Sequence, residues 1–426
     1  MRSGGRTTTS KAESTIRILN IGRGLGQLDD LVAMASRLVH RETVAMPEAY
    51  DAVVIGGGLA GLSVAYELVA TGARTAVIDR QDAGRATDAG AGILSPETTK
   101  NEDDRWFRLV VACGARYPEL VAELEAGGFD HGWTRCGLLT LALSDWDQEA
   151  YEWAAKLALR RRDASGAPSP DVLREISPSQ ARAMFPVLSD VSRALLHGGA
   201  ARVDGRRLSA AICAAATARG LTRRTAAVLR IAPERRRVHR VETQDGEVRC
   251  GALVIAGGAW SADWAQALGI AIGVAPVRGQ IVHLELRDAD TSLWPIAQPI
   301  LGHYLVPWPS GRIAVGATVE PDAGFDPRPT AAGMRQLLSW TMRAAPGLAD
   351  ATFLEVRVGL RPGSLDGLPL LGPVPGVDNV FLATGYGADG LLLSPFCGRL
   401  VADAALGREP AIDLDPFRPG RTLPVN

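Results

Sequence analysis

YDAVVIGGGLAGLSVAYELVATGARTAVIDR, residues 50–80, reads as a strand, a glycine turn, a helix and a second strand closed by an acid. Residues 51–55 are the short unbroken apolar run expected of a strand covered on both faces in a parallel sheet. Gly56, Gly58 and Gly61 follow in GxGxxG spacing and open a helix over about 59–70, which Gly72 can end. Gly56 permits the tight turn, Gly58 lets a pyrophosphate lie against the backbone, and Gly61 lets helix and sheet pack closely. The free amides of the helix start, aided by the helix dipole, then face the phosphates. Residues 74–78 are the second strand, and Asp79 ends it where a carboxylate accepts hydrogen bonds from a ribose. With 47 glycines in 426 residues, GxGxxG alone could be turn chemistry. Strand, helix and acid in register carry it further, to a bound dinucleotide. This stretch by itself leaves FAD and NAD open.

A chain of 426 residues can bury a large core and suggests two or three domains. Its formal net charge of −1 offers nothing global to nucleic acid or an anionic membrane. Only Lys11, Lys100 and Lys156 are lysines, so arginine supplies nearly all the positive charge. The five cysteines are scattered without a C-x-x-C pair, which argues for free thiols in a reducing compartment and against a zinc site. No apolar run approaches the roughly 18 residues of a membrane span, and the N-terminus lacks a secretory signal. A cytoplasmic enzyme is expected.

Residues 1–45 read as an appendage, disordered over 1–14, with a strand at 16–21 and an amphipathic helix at 28–40. The glycine turn at 22–26 lacks phosphate-loop spacing. After Arg80 comes AGRATDAGAGILSP, residues 83–96, where small residues let backbone approach something flat and large; a flexible loop is the plainer reading. A long helix is expected over 103–126, kinked at Pro118. A strand follows at 136–143, then a helix over 144–162 with Asp147 as its capping-box acid. Strands at 225–231, 237–243 and 250–255 lead into AGGAWS, where Gly257 and Gly258 make another turn into a helix. From residue 277 the pattern is strand-rich, at 279–286, 302–307 and 312–318, as in an antiparallel sheet; a helix at 330–344 and another strand at 355–360 follow. Residues 380–384 return to the buried-strand style, and GYGADGLLLS, 385–394, opens one more helix. The expected fold is mixed α/β. A cofactor domain is gathered from 46–100, 185–275 and 355–420, and a substrate domain from 101–184 and 276–354.

The segments GGGLAGLSVAYEL, AGRATDAGAGILSP, LVIAGGAWS, HYLVPWPSGRIAVGAT, GLRPGSLDGLPLLGP and ATGYGADGLLLSP, in this order between residues 50 and 417, resemble the D-amino-acid oxidase family of FAD flavoproteins, and within it the bacterial glycine oxidases. The resemblance implies a Rossmann-like FAD-binding domain with an inserted antiparallel-sheet substrate domain. It implies that the first turn, with Leu59 and Ala60, holds the FAD pyrophosphate, and that Asp79 and Arg80 lie at the adenosine end. Ala86 and Thr87, then Ala91, Gly92 and Ile93, match the loop passing diphosphate and flavin, and Val228 a backbone contact to adenine. The turn at Gly257 and Gly258 is counted with the same site. Tyr386, Gly387, Asp389, Gly390, Leu391 and Leu392 match a late turn whose helix start faces the flavin's carbonyl edge and would stabilise negative charge on the reduced ring. Gly359 falls near the place of the cysteine that bonds FAD in sarcosine oxidases, so non-covalent FAD is expected.

For the substrate the resemblance points to Arg361 as a carboxylate clamp and to Tyr304 as a hydroxyl on the same carboxylate. The plainer alternatives are a structural ion pair of Arg361 with Asp366 and a half-buried sheet tyrosine. Ala388 stands where glycine oxidases carry an arginine, which would admit a larger or N-substituted amine. Gly302 replaces a histidine of the pattern, with His303 beside it. No lysine lies beyond residue 277, so the oxygen-activating lysine of sarcosine oxidases has no counterpart. The implied reaction is oxidative deamination of glycine or a related small amino or imino acid, such as sarcosine or a D-amino acid, to a 2-oxo acid with hydrogen peroxide. Its partners would be that amine and dioxygen, with no nucleic acid or membrane, and a homo-oligomer left open. Three rivals stand beside it: a dehydrogenase feeding a quinone or carrier, an FAD-binding protein whose altered pocket no longer catalyses, and a tRNA-modification flavoprotein. The last rests on Arg223, Arg224 and the arginines at 235–237, against a net charge of −1.

Overall fold

The computed structural model describes residues 48–421. The strand, turn and helix expected within residues 1–45 lie outside that range. At the centre of the first sheet, Glu48–Ile55 pairs in parallel with Thr75–Asp79 on one side and Gly246–Ile255 on the other. Thr222–Thr225 extends the parallel set beyond Thr75–Asp79, and Val380–Thr384 pairs in parallel with the end of Gly246–Ile255. The start of that long strand instead turns antiparallel to Arg240–Thr243 and, through it, to Val228–Ile231. Leu370–Pro373 adds an antiparallel edge to Val380–Thr384. Ala52 and Val54 face one apolar core, with the helices Leu59–Ala70, Gly205–Ala218 and Gly390–Ala405, while Val53 and Ile55 face another. Cover on both faces is why this strand is apolar without alternation.

The second sheet runs in the order Thr352–Ser364, Val274–Glu285, Arg312–Gly316, Tyr304–Pro307, Ile296–Pro299, Leu138–Ala142, Arg193–His197, Leu173–Ile176. Its pairs are antiparallel except for Ile296–Pro299 on Leu138–Ala142. On one face Val282, Leu284, Leu305 and Val315 pack with Phe185, Leu188 and Leu337 of the helix Ala331–Ala344. On the other face Ile281, Val306 and Ala314 pack with Leu138 and Ile296, and Ala91 and Ile93 lie against them. A small sheet of Ile93–Leu94, Ala201–Val203 and Trp133–Arg135 lies beside them.

Three segments depart from the expected domain division. Arg193–His197 and Thr352–Ser364 were expected in the cofactor domain from residues 185 and 355 onward, but both are strands of the second sheet. The helix Asp104–Ala126 was expected with the substrate domain, yet Leu109, Cys113, Tyr117, Leu120 and Leu124 pack into the first sheet's core. Strand and helix propensity are local, whereas the surface an element covers is set by partners far along the chain. That helix begins at an Asp103 cap and continues through Pro118 as helix. The capping box expected at Ser144 is present, with Asp147 as its acid, and leads into Gln148–Ser165. Among the described residues no helix is long and apolar enough to cross a membrane, and all five cysteines are free.

Candidate active site

The first helix starts in the gap where two sheet strands diverge. Gly56 has φ +107°, a conformation that costs L side chains strain, and a Cβ there would strike the Ala256 carbonyl. A Cβ on Gly61 would strike the Gly56 carbonyl, so this glycine serves packing. The first amide of the helix, on Leu59, donates to Thr87 Oγ1 (3.1 Å), while the first bond inside the helix runs from Leu62 N to the Gly58 carbonyl (3.0 Å). The amides of Ala60 and Gly61 precede that bond and have no acceptor within the helix. Asp79 ends its strand facing the same gap and pairs with Arg85 (3.2 Å), which also holds Asp88 (2.8 Å). Arg80 lies beside Trp260, 6.0 Å from the ring centre, and pairs with Asp263 at 3.5 Å. The glycine turns at 257–258 and 385–387 are tied together, since Ser261 Oγ donates to Thr384 Oγ1 (2.9 Å), which donates to the Gly258 carbonyl (3.0 Å).

A single cleft of about 590 Å³ runs from Asp79 and Val228, past Gly257 and the 86–93 loop, to Tyr386 and Arg361. Of the cofactor residues expected from the sequence, Gly61 alone does not line it; Gly302 and His303 do not line it either. The free amides at its floor suit phosphate oxygens. Tyr386 also lines it, with its hydroxyl turned away into the helix core beside Cys113 and Cys397. A glycine cradle that a Cβ would fill and an acid at the strand end along one elongated cleft fit a dinucleotide such as FAD.

At the far end the strand register assembles the substrate side. Gly279 pairs with Gly359, Ile281 with Gly316, and Gly316 with Tyr304, so these residues share one face with Arg361. Arg361 reaches inward over Gly279, where any Cβ would collide with its guanidinium, and donates from Nη1 to the Thr318 carbonyl (3.0 Å). Tyr304 reaches from the other side over Gly316, whose Cβ would lie 2.9 Å from its hydroxyl. Two glycines thus make a flat floor on which both side chains converge. Burial pushes the Tyr304 phenol up to about 12, with Arg361 pulling it back, so the hydroxyl keeps its proton and can donate.

The ion pair weighed for Arg361 does not form: Asp366 is held by Arg421 at 2.7 Å. Among the described residues no carboxylate lies within 4.0 Å of Arg361. Its backing is a polar network instead. Gln280 N donates to Thr318 Oγ1 (2.9 Å), Thr318 Oγ1 and Gln280 Nε2 both donate to Glu320 Oε1 (2.6 and 2.7 Å), and Arg278 pairs with Glu320 Oε2 (2.6 Å). Ala388 and Asp389 are exposed toward the cleft. Desolvation by the surrounding protein pushes the Asp389 carboxyl up to about 6, with Arg361 acting in the opposite direction.

Arg85, Ser95, Lys100, Trp106 and Gln298 also line the cleft and were not singled out from the sequence. Arg85 was within reach, being the one cation in the small-residue loop. Gln298 carries no local signal, since only its pairing beside Tyr304 brings it there. The loop and the substrate strand are joined directly, Leu360 N donating to the Gly84 carbonyl (2.8 Å).

A dinucleotide cradle joined to a second sheet that presents an arginine without an acid partner among the described residues is the frame of a dinucleotide-dependent oxidoreductase. The chain belongs to the FAD-dependent oxidoreductase family DAO, whose family model matches residues 51–404, and FAD is that family's cofactor. The uncharacterized oxidoreductase YurR of Bacillus subtilis is 37% identical over 380 residues, covering 87% of this chain and 99% of its own. The glycine oxidase of Pseudomonas aeruginosa is 34% identical over 381 residues, again covering 87% and 99%. Among solved structures, iminodiacetate oxidase from Chelativorans sp. BNC1 superposes with a TM-score of 0.82 at 34% identity, over 87% of this chain and 100% of that one.

Proposed function

We propose that the protein is an amino-acid oxidase acting at a CH–NH bond. It converts glycine or a related small amino or imino acid, dioxygen and water to a 2-oxo acid, an amine or ammonia, and hydrogen peroxide. The observation that carries this reading is Arg361, a guanidinium without an acid partner among the described residues, beside a protonated Tyr304 hydroxyl in the cleft that holds the cofactor cradle. Bound non-covalently in that cradle, FAD supplies the two-electron acceptor. Arg361 and Tyr304 hold the substrate carboxylate against the floor formed by Gly279 and Gly316, which fixes the position of the α-carbon. The apolar walls around Ile281, Leu360 and Tyr386 keep bulk water from the reacting bond. The glycine oxidase and iminodiacetate oxidase relatives support a small carboxylate-bearing amine, and Ala388 leaves room for a substituent on nitrogen.

Anaerobic mixing with glycine, sarcosine, D-alanine and iminodiacetate should bleach the flavin with at least one of them, and admitting air should restore its colour with one peroxide per turnover. Bleaching without peroxide would convert the reading to a dehydrogenase, and no bleaching by any of these amines would sink it. Of the five arginines that support the tRNA reading, Arg224 pairs with Glu48 (3.4 Å) and Arg236 with Asp378 (3.0 Å), and unchanged mobility of tRNA at low salt would dismiss that reading.

A further inference from the structure

The cleft has a second cation at its substrate side, to which the oxidase reading gives no task. Lys100 lines the cleft with Thr99, Asn101 and Gln298. Its Nζ donates only to the Ile300 carbonyl (3.3 Å), and among the described residues no carboxylate lies within 4.0 Å of it. Lys100 is exposed at the cleft wall, and with a single neutral protein acceptor its ammonium is free to meet an anion entering the cleft.

The loop that presents it is built in place. Arg161 donates to the carbonyls of Thr99 (3.2 Å) and Asn101 (2.8 Å), one on each side of Lys100, and the Trp106 indole N–H donates to Thr99 Oγ1 (3.1 Å). The Arg161 guanidinium is itself held over the Phe107 ring at 4.2 Å. The register relates this wall to the carboxylate clamp. Ala297 pairs with Leu305, which sets Gln298 beside Tyr304, and Ile300 follows two residues on. At about 3.3 Å per residue the carbonyl that holds Lys100 is roughly 7 Å along the strand from Gln298. Across the cleft Ala388 brings no charge of its own. The two carboxyl carbons of an N-carboxymethyl amino acid lie on the order of 5 Å apart when extended, from standard bond lengths. A flexible lysine can close the remaining gap.

We propose, resting on the oxidase reading, that Lys100, with Gln298, forms a second carboxylate subsite, so that the chain prefers amines carrying two acidic arms, one held by Arg361 and Tyr304 and the other by Lys100. The test uses the holoenzyme and two substrates, iminodiacetate and sarcosine, which share the reacting N–CH₂–COO⁻ unit and differ in one carboxylate. The wild-type protein should favour iminodiacetate in kcat/KM, and Lys100→Met should lower that preference about 10- to 100-fold, as expected for removing one partner of a charge-assisted contact. Lys100→Arg, which keeps the charge, should recover most of it. Flavin absorbance titrations with the unreactive sulfur analogues thiodiacetate and methylthioacetate give the same comparison without turnover. A preference that stays within twofold in Lys100→Met, with thiodiacetate binding unaltered, would overturn the subsite while leaving sarcosine oxidation standing. Silence of the flavin toward both amines would overturn the subsite, and silence toward glycine and D-alanine as well would overturn the oxidase reading with it. Should Lys100→Met fail to retain flavin, Lys100→Gln with the same titrations decides the matter.

Discussion

The two ends of the cleft are built by different means. At the Gly56 end the ligand meets backbone, in the form of amides at a helix start, a glycine that only its φ of +107° makes possible, and carbonyls from the neighbouring strand. At the Arg361 end it meets side chains that arrive from an edge strand and an interior strand of one sheet, on either side of a floor of two glycines. Backbone sites tolerate almost any side chain but no change of conformation. Side-chain sites tolerate conformational slack but lose function with a single functional group. A substitution at the first end should therefore remove the cofactor, and one at the second should spare the cofactor and remove the substrate.

The sharpest attempt to break that contrast is Gly56→Ala. Its Cβ meets the Ala256 carbonyl in a strained conformation, and flavin retained after dialysis should fall about tenfold or more while circular dichroism stays native. Full retention of flavin would show that the cradle does not depend on the turn. Next comes Arg361→Ala, expected to keep its flavin and to lose about 10³ in kcat/KM toward carboxylate amines, in line with deleting one side of a paired charge. Visible spectra and steady-state rates check both halves.

A smaller effect separates Asp389 from Ala388 beside it. The Asp389 carboxyl, pushed up to about 6, is neutral below that pH and negative above it. Its charge then opposes a substrate carboxylate and competes for Arg361. KM should accordingly rise a few-fold as pH increases through about 6 in the wild type, and Asp389→Asn should flatten that rise. The smallest change is expected from Thr318→Val, which keeps the carbonyl that receives Arg361 but cuts its links to Gln280 and Glu320. KM should increase about threefold with kcat unaltered, the size of one neutral hydrogen bond. A fall in kcat instead would mean that the network does more than aim the guanidinium.

Legibility in the sequence divides along the same line. The cradle could be read directly because strand, turn, helix and acid lie within residues 50–80 and each is a local pattern. Arg361 and Tyr304 came only through resemblance, since nothing near either residue says that strands 57 positions apart will share a face. The role of Gly279 as open floor, and the arrival of Lys100 and Gln298, depend on register, which a single sequence does not state. Arg193–His197 and Thr352–Ser364 went to the wrong sheet for that reason. Asp104–Ala126 went to the wrong core because an amphipathic helix announces that it has a buried face, and not which surface buries it.

The glycine floor also bears on how such a protein can diverge. The proposed carboxylate anchor rests on hydrogen-bonded strands, where replacing Gly279 or Gly316 would obstruct Arg361 or Tyr304 directly. The surfaces that meet the rest of the substrate, around residues 99–101 and 386–389, are a loop and a short helical turn. Those can change residue by residue without disturbing the anchor. The same scaffold can therefore pass from one amine to another through a lineage while the bond it oxidises, and the place where it holds that bond, stay fixed.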